Sequence, residues 1–344
     1  MANPIETAGR AIDRFQQRHA LIAFPFAVTK KYGDDRAGYL AAVIAYYGFL
    51  SLFPLLLVFA TILAIILPGN TGLRQHIVNS ALGHFPVIGE SIKTGTLHKS
   101  GVALALGIAT TLWAGMGAAA AGQNAMNDVW HVPLKDRPNF LLQRARSLLM
   151  LAVLGAFAIV SFVLSGVGST SGNVGIDRRI AGVVLALFVN LGLFMLSYRV
   201  LTRKNLSWRD VFPGALLASV LWTVLQVIGN YYVTHQIAKA KAVYGTFAIV
   251  IGLLVWIYLG AQIALYAAEC NVVRKEHLWP RSMVQSPLNE ADMRSYAHAA
   301  EIEHRRPEDK LVVTFDDGTT QTLAPVATPT KPSVETGKRE GKPP

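Results

Sequence analysis

The chain has 344 residues, of which 52% are hydrophobic and 15% charged, and a formal net charge of +11. A soluble protein carries about 25% charged residues, so this composition excludes an ordinary soluble enzyme, and its apolar content excludes disorder over most of the chain. Cys270 is the only cysteine, which excludes a disulfide-stapled scaffold.

The leader, residues 1–38, places Ile5, Ala8, Ile12 and Phe15 at helical spacing with Arg10, Arg14 and Arg18 elsewhere around the helix. That pattern predicts an amphipathic helix lying on the inner leaflet. Six apolar stretches follow, each near the roughly 20 residues a helix needs to cross a bilayer core. They run from Tyr39 to Leu67, Val102 to Ala121, Leu148 to Gly168, Ile180 to Leu201, Val211 to Val233 and Gly245 to Ala268. Between the first two, Leu73, Ile77, Leu82, Phe85, Ile88 and Ile92 sit among polar residues and suggest short helices on the outer surface.

The predicted fold is therefore an all-α membrane protein, a six-transmembrane helix bundle over residues 39–273 with interfacial amphipathic helices. Residues 274–324 read as a polar cytoplasmic segment, with a helix around Glu290 to His304 and a hairpin turning at Asp317-Gly318. Residues 325–344, rich in Pro, Thr, Lys and Gly, read as a disordered tail.

The basic residues set the orientation. The leader and the loops after spans two, four and six carry seventeen Lys and Arg, and the alternate loops carry seven. The richer side is cytoplasmic, so both termini lie inside, as an even span count requires. This distribution also answers the other reading of a basic chain, since the charges follow the loops and form no nucleic-acid patch.

Few polar side chains remain inside the spans, where an unpaired one is costly. Span one holds Tyr46, Tyr47 and Ser51, with Pro54 predicting a kink. Span two carries a stripe of small residues, Ala103, Gly107, Thr111, Gly115 and Ala119, ending in Gln123 and Asn127. Small residues let another helix approach, and that neighbour could belong to the same chain or to a second copy in a homo-oligomer. Span five carries Gln226 and Asn230, and span six carries Tyr258, Gln262 and Glu269 along one face. Glu269 is an acidic residue close to the inner face, with Arg199, Arg203 and the arginines of the second loop as candidate partners. These ten residues, Tyr46, Tyr47, Ser51, Gln123, Asn127, Gln226, Asn230, Tyr258, Gln262 and Glu269, are the candidates for a polar cavity.

Enzyme motifs are missing. There is no phosphate-binding loop with a lysine, no Gly-x-Ser-x-Gly elbow, and no His-x-His or His-Glu-x-x-His spacing among the nine histidines. No catalytic residue, metal ligand or cofactor is expected.

Several of these residues also carry a resemblance. They are Ala45-Tyr46-Tyr47 with Ser51-Leu52-Phe53-Pro54, Asn127 with Trp130, and Gly214 with Trp222 ahead of a tyrosine end. Further on come Tyr244-Gly245, Trp256, Tyr258 and Ala268-Glu269-Cys270-Asn271. In this combination the chain resembles the YihY/BrkB family of bacterial inner-membrane proteins from Arg10 to Arg274, with Ala268 standing where glycine is the more usual residue. The resemblance implies six spans with both ends cytoplasmic. Members have been labelled ribonuclease BN, generally regarded as a misassignment; others carry virulence, serum-resistance or transporter labels, and none supplies a catalytic residue.

The resulting expectation is a non-enzymatic inner-membrane transporter of a lipid, an amphiphile or a small solute that contributes to envelope integrity, with membrane lipids as its partners. The alternative is a structural membrane protein whose cytoplasmic tail recruits partners. A membrane ribonuclease is the least favoured reading.

Overall fold

The computed structural model describes residues 4–66, 101–152, 176–232, 246–284, 288–306, 308, 311–315 and 319–323. Most of the expected third span, the outer-surface helices after span one and the tail from 325 lie outside them.

The described chain is helical apart from one hairpin. Helices α1 (Pro4–Arg18) and α2 (Ala20–Asp34) form the leader, followed by α3 (Ala37–Ile66) and α4 (Gly101–Val129). Residues 140–152 are helical and form α5. Then come α6 (Ile176–Leu201), α7 (Trp208–Tyr232), α8 (Thr246–Lys275) and α9 (Glu290–Glu301). Strands β1 (Leu311–Thr314) and β2 (Thr320–Leu323) pair antiparallel, with Leu311 opposite Leu323.

Among the described residues, Val184–Leu201, Trp208–Gly229 and Val250–Lys275 are long and apolar enough to cross a membrane, and Ala37–Leu52 is a shorter apolar helix. At 1.5 Å rise per residue, the 30 residues of α3 extend to about 45 Å, beyond the roughly 30 Å of a hydrocarbon core. Helix α3 runs through Pro54 and continues to Ile66. The outward faces are apolar: Leu185 and Phe188 on α6, Val220, Val224 and Val227 on α7, and Ile251 and Leu254 on α8 are all exposed.

Helix α8 is the hub. It packs on α2, α3, α4 and α7, while α3 lies along α4 and α6 along α7. Close approach depends on glycine at particular crossings. A Cβ on Gly214 of α7 would collide with the carbonyl of Ala267 and the side chain of Asn271, both on α8. Asn271 takes advantage of that gap: its Oδ1 accepts from the Gly214 amide at 2.7 Å and its Nδ2 donates to the Val211 carbonyl at 3.3 Å. Higher up, the two helices exchange tryptophans, with Trp256 of α8 seated on Gly229 of α7 and Trp222 of α7 seated on Gly260 of α8. On α4, Gly115 receives Leu151 of α5 and Gly117 receives Tyr47 of α3. The neighbour at Gly115 is thus in the same chain.

The leader packs into the bundle. Helix α2 packs on α8 and buries Ala23, Ala27, Val28 and Lys31. On α1, Asp13 and Gln16 turn inward and are buried, while Ile12 and Phe15 face out at 59% and 56% exposure.

Replacing Gly214 or Gly229 with alanine forces atoms together at these crossings, and overpacking of this kind costs about 1–3 kcal/mol. Both variants are expected to lower the thermal unfolding midpoint in detergent. Gly182→Ala, which meets nothing within 4 Å, is expected to leave it unchanged or raise it.

Candidate functional site

Two features stand out at and above one end of the bundle: a buried polar knot and an apolar cavity. The knot begins on the last turn of α2, where Lys31 and Asp35 lie four residues apart. Lys31 is fully buried, and its ammonium donates to three oxygens: Asp35 Oδ2 at 2.5 Å, Glu269 Oε2 of α8 at 2.7 Å and the Val129 carbonyl of α4 at 3.0 Å. All three of its protons are therefore used. Burial alone would lower the Lys31 pKa, but Glu269 and Asp35 outweigh it and hold the group above its ordinary value.

The sequence pointed to arginine partners for Glu269. The structure instead gives it Lys31, because α2 lies against α8 and brings a leader residue to the helix end. Lys31 and Arg281, both counted in the basic excess, are fully buried and paired.

Asp35 also accepts from His131 Nε2 at 3.2 Å. His131 ends α4 in the left-handed region at φ 49, with Val132 N bonding Asn127 O at 2.8 Å and His131 N bonding Asp128 O at 2.9 Å, the hydrogen-bond pair that closes a helix C-terminus. Burial and the Lys31 charge push the imidazole below its usual value against the pull of Asp35. Nε2 faces the Asp35 carboxylate, and Nδ1 has no hydrogen-bond partner among the described residues.

A second knot docks α9. The Arg281 guanidinium donates to Asp292 Oδ1 at 2.5 Å, Ser295 Oγ at 2.8 Å and Asp34 Oδ2 at 2.9 Å. Asp292 also accepts from Lys30 Nζ and the Ser282 amide, each at 2.9 Å. Asn289 caps α9 by accepting from the Asp292 amide. Close by, Glu276 accepts from Lys204 at 2.7 Å and His298 Nδ1 at 2.5 Å. Burial would raise that carboxyl, but His298 and Lys204 bring it down to about 2.

His131, Glu276 and His298 offer donor atoms all within 4.8 Å of one another, a group able to hold a metal ion. They are far apart in sequence, so local spacing misses them. Both Glu276 oxygens are already engaged, by Lys204 and His298, and His131 Nδ1 has no hydrogen-bond partner among the described residues.

The cavity measures about 450 Å³ and is walled by α3, α4, α5, α6 and α8. Ile44, Ala119, Met150, Phe194 and Leu265 are typical of its surface. Its three hydroxyls all turn back to carbonyls: Ser51 donates to Gly48 O at 2.9 Å, Ser197 to Leu193 O at 2.7 Å and Tyr198 to Ala264 O at 2.8 Å. What they leave facing the space is apolar.

Among the described residues, the candidates do not converge on one polar cavity. Only Ser51 lines this one. Gln123 is buried against Ser147 and Met150, and Asn127 accepts from the Arg203 amide. Gln262 donates to Tyr258 Oη at 3.1 Å. Tyr46 is exposed, Tyr47 packs on Gly117 of α4, and Gln226 is half-buried. The side chain of Asn230 lies outside the described residues. Glu269 belongs to the Lys31 knot. The residues that sequence reasoning missed are Lys31, Asp35, His131, Arg281 and Asp292. The pairs Lys30/Asp34 and Lys31/Asp35, each four apart on a helix, were the available signal.

Residues 28–287 match the family model described as Virulence factor BrkB. The chain is similar to the ribonuclease-like protein YfkH of Bacillus subtilis, 28% identical over 250 residues, 68% of this chain and 88% of that one. It is similar to the inner membrane protein YhjD of Escherichia coli, 23% identical over 291 residues, 78% of this chain and 85% of that one. A UPF0761 membrane protein of Pseudoalteromonas atlantica is 25% identical over 248 residues, 68% and 79% of the two chains. No solved structure matches.

Removing one partner from a buried ion pair costs about 3–5 kcal/mol, because the other charges stay behind. Lys31→Met is expected to destabilise by that amount, and the double variant Lys31→Met, Glu269→Leu to be less unstable than Lys31→Met alone; a double-mutant cycle in detergent measures both. The dock of α9 predicts a pH limit. Burial would raise Asp292, but Arg281, Lys30 and Ser282 hold it below its ordinary 3.8. A lowered carboxyl pKa contributes stability that is complete above the unfolded value and lost as pH falls through the folded one. Hydrogen exchange at α9 is expected to stay slow from pH 7 down to about 4 and to rise below that.

Proposed function

Because the chain belongs to the virulence factor BrkB family of membrane proteins, we propose that it handles the apolar part of a lipid or other amphiphile, moving it across or within the bacterial inner membrane without catalysing a reaction. The observation that carries this reading is the cavity whose three hydroxyls are all tied back to the backbone. A polar solute needs lining groups free to replace its hydration, whereas a hydrocarbon chain needs only an apolar wall of this volume. The cavity therefore favours an amphiphile over a small polar solute.

In the same reading residues 39–273 cross the membrane six times and both termini are cytoplasmic. The three long apolar stretches and the basic excess of alternate loops support it, and the outward Ile12 and Phe15 of α1 support an interfacial leader helix. The alternative role for the tail, recruitment of partners, draws less support for residues 281–304. The described residues of that segment are held to α2 through the buried Arg281, Asp292 and Lys30 ion pairs.

The test is redistribution of a fluorescent lipid between the leaflets of liposomes carrying the purified chain. Ala119→Phe, which fills the cavity, is expected to slow redistribution about tenfold, and Val184→Phe, on the outward face, to leave it unchanged. Equal rates with and without protein would overturn the proposal.

A further inference from the structure

Where α5 and α6 approach the polar end of the bundle, a second cavity of about 290 Å³ opens, and its character is reversed. Its wall carries Arg146 of α5, and Arg199, Arg203, Lys204, Thr202 and Ser207 from the end of α6 and the turn beyond, with no carboxylate among them. Lys204 has Glu276 as its partner. Arg199 lies over the Trp208 ring, 4.4 Å from its centroid. Among the described residues no carboxylate pairs with Arg146, Arg199 or Arg203. Burial, with Arg203 nearby, pulls Arg146 below its ordinary pKa, as expected where cations gather without counter-charge.

The two cavities share helices. On α6, Tyr198 and Leu201 face the apolar one while Arg199, with Thr202 and Arg203 just past the helix end, faces the basic one. On α5, Met150 lines the first and Arg146, one turn earlier, the second. Each helix passes from an apolar wall to a cationic wall within a single turn, which is the distribution of a lipid's own chemistry: hydrocarbon, then charge.

We propose that the Arg146, Arg199 and Arg203 pocket binds the phosphate headgroup of an anionic membrane lipid whose acyl chain enters the apolar cavity. Guanidinium groups match phosphate oxygens two at a time, and basic pockets between membrane helices suit anionic headgroups. The acyl part of this assignment rests on the lipid-handling reading above; the phosphate part rests on the arginines alone.

The experiment measures binding of dioctanoyl phosphatidylglycerol, dioctanoyl phosphatidylcholine and inorganic phosphate to the full chain in detergent. Wild type is expected to prefer the anionic lipid about tenfold or more. Arg146→Gln and Arg203→Gln are each expected to erase that preference while phosphatidylcholine binding persists, and Arg199→Gln serves if either loses its thermal unfolding transition. Inorganic phosphate is expected to bind more weakly and to compete with the anionic lipid. Equal binding of the two lipids, both abolished by Ala119→Phe, would overturn the headgroup site and leave the cavity reading standing. Phosphate binding as tight as the anionic lipid, with both indifferent to Ala119→Phe, would assign the pocket to a free anion and overturn the lipid source. Equal lipid binding with no phosphate binding and no effect of Ala119→Phe would overturn both.

Discussion

The Lys31 ammonium, buried where α2, α4 and α8 meet, sets the terms for the polar end of the molecule. A charge taken out of water costs several kcal/mol unless close partners replace its hydration. Here three oxygens from three separate elements do so. The requirement works in both directions: the carboxylates of Asp35 and Glu269 need the ammonium as much as it needs them. The leader helix, the end of α4 and the end of α8 are thus bound to one arrangement, and α8 becomes the axis on which the other helices pack. The Arg281 knot extends the same logic to α9, which joins the bundle through charge where it has little apolar surface to bury.

Within the apolar part no comparable directional force exists, and packing takes its place. Between α7 and α8 the backbones come together because Gly214, Gly229 and Gly260 leave room for Asn271, Trp256 and Trp222. Across the bundle α3, α4, α5, α6 and α8 do not close, and an apolar cavity remains among them. One side of α8 is locked and the other open, so a binding volume exists without loosening the helix that supports it.

Much of the helical layout was legible in the chain. Long apolar runs separated by basic loops imply membrane helices, and Asn289 with the acidic first turn of α9 marks a helix start where a polar segment could have been coil. The short hairpin was visible from alternation around Asp317-Gly318. The site was far less legible. Reading Tyr258, Gln262 and Glu269 as one helical face was geometrically sound. The partner of Glu269 lay in the leader, though, and a face says nothing about what packs on it. Glu269 was paired with arginines nearby in the expected topology, whereas its partner comes 238 residues earlier. Ser51 and Ser197 bond carbonyls of their own helices and Tyr198 one of α8, so the surface these hydroxyls leave to the cavity is apolar.

By itself the sequence determined what periodicity and composition can determine: which segments are helices, which are apolar enough for a bilayer, and where the positive charge accumulates. These properties follow from local rules acting over one turn or one span. Only the tertiary structure decided that Lys31 is a buried keystone and not a surface charge, that His131, Glu276 and His298 share a corner, and that α5 and α6 each pass from apolar to cationic wall beside a cavity. Each of those depends on which helix faces which, and that choice is made by glycine gaps and buried charges summed over the whole bundle.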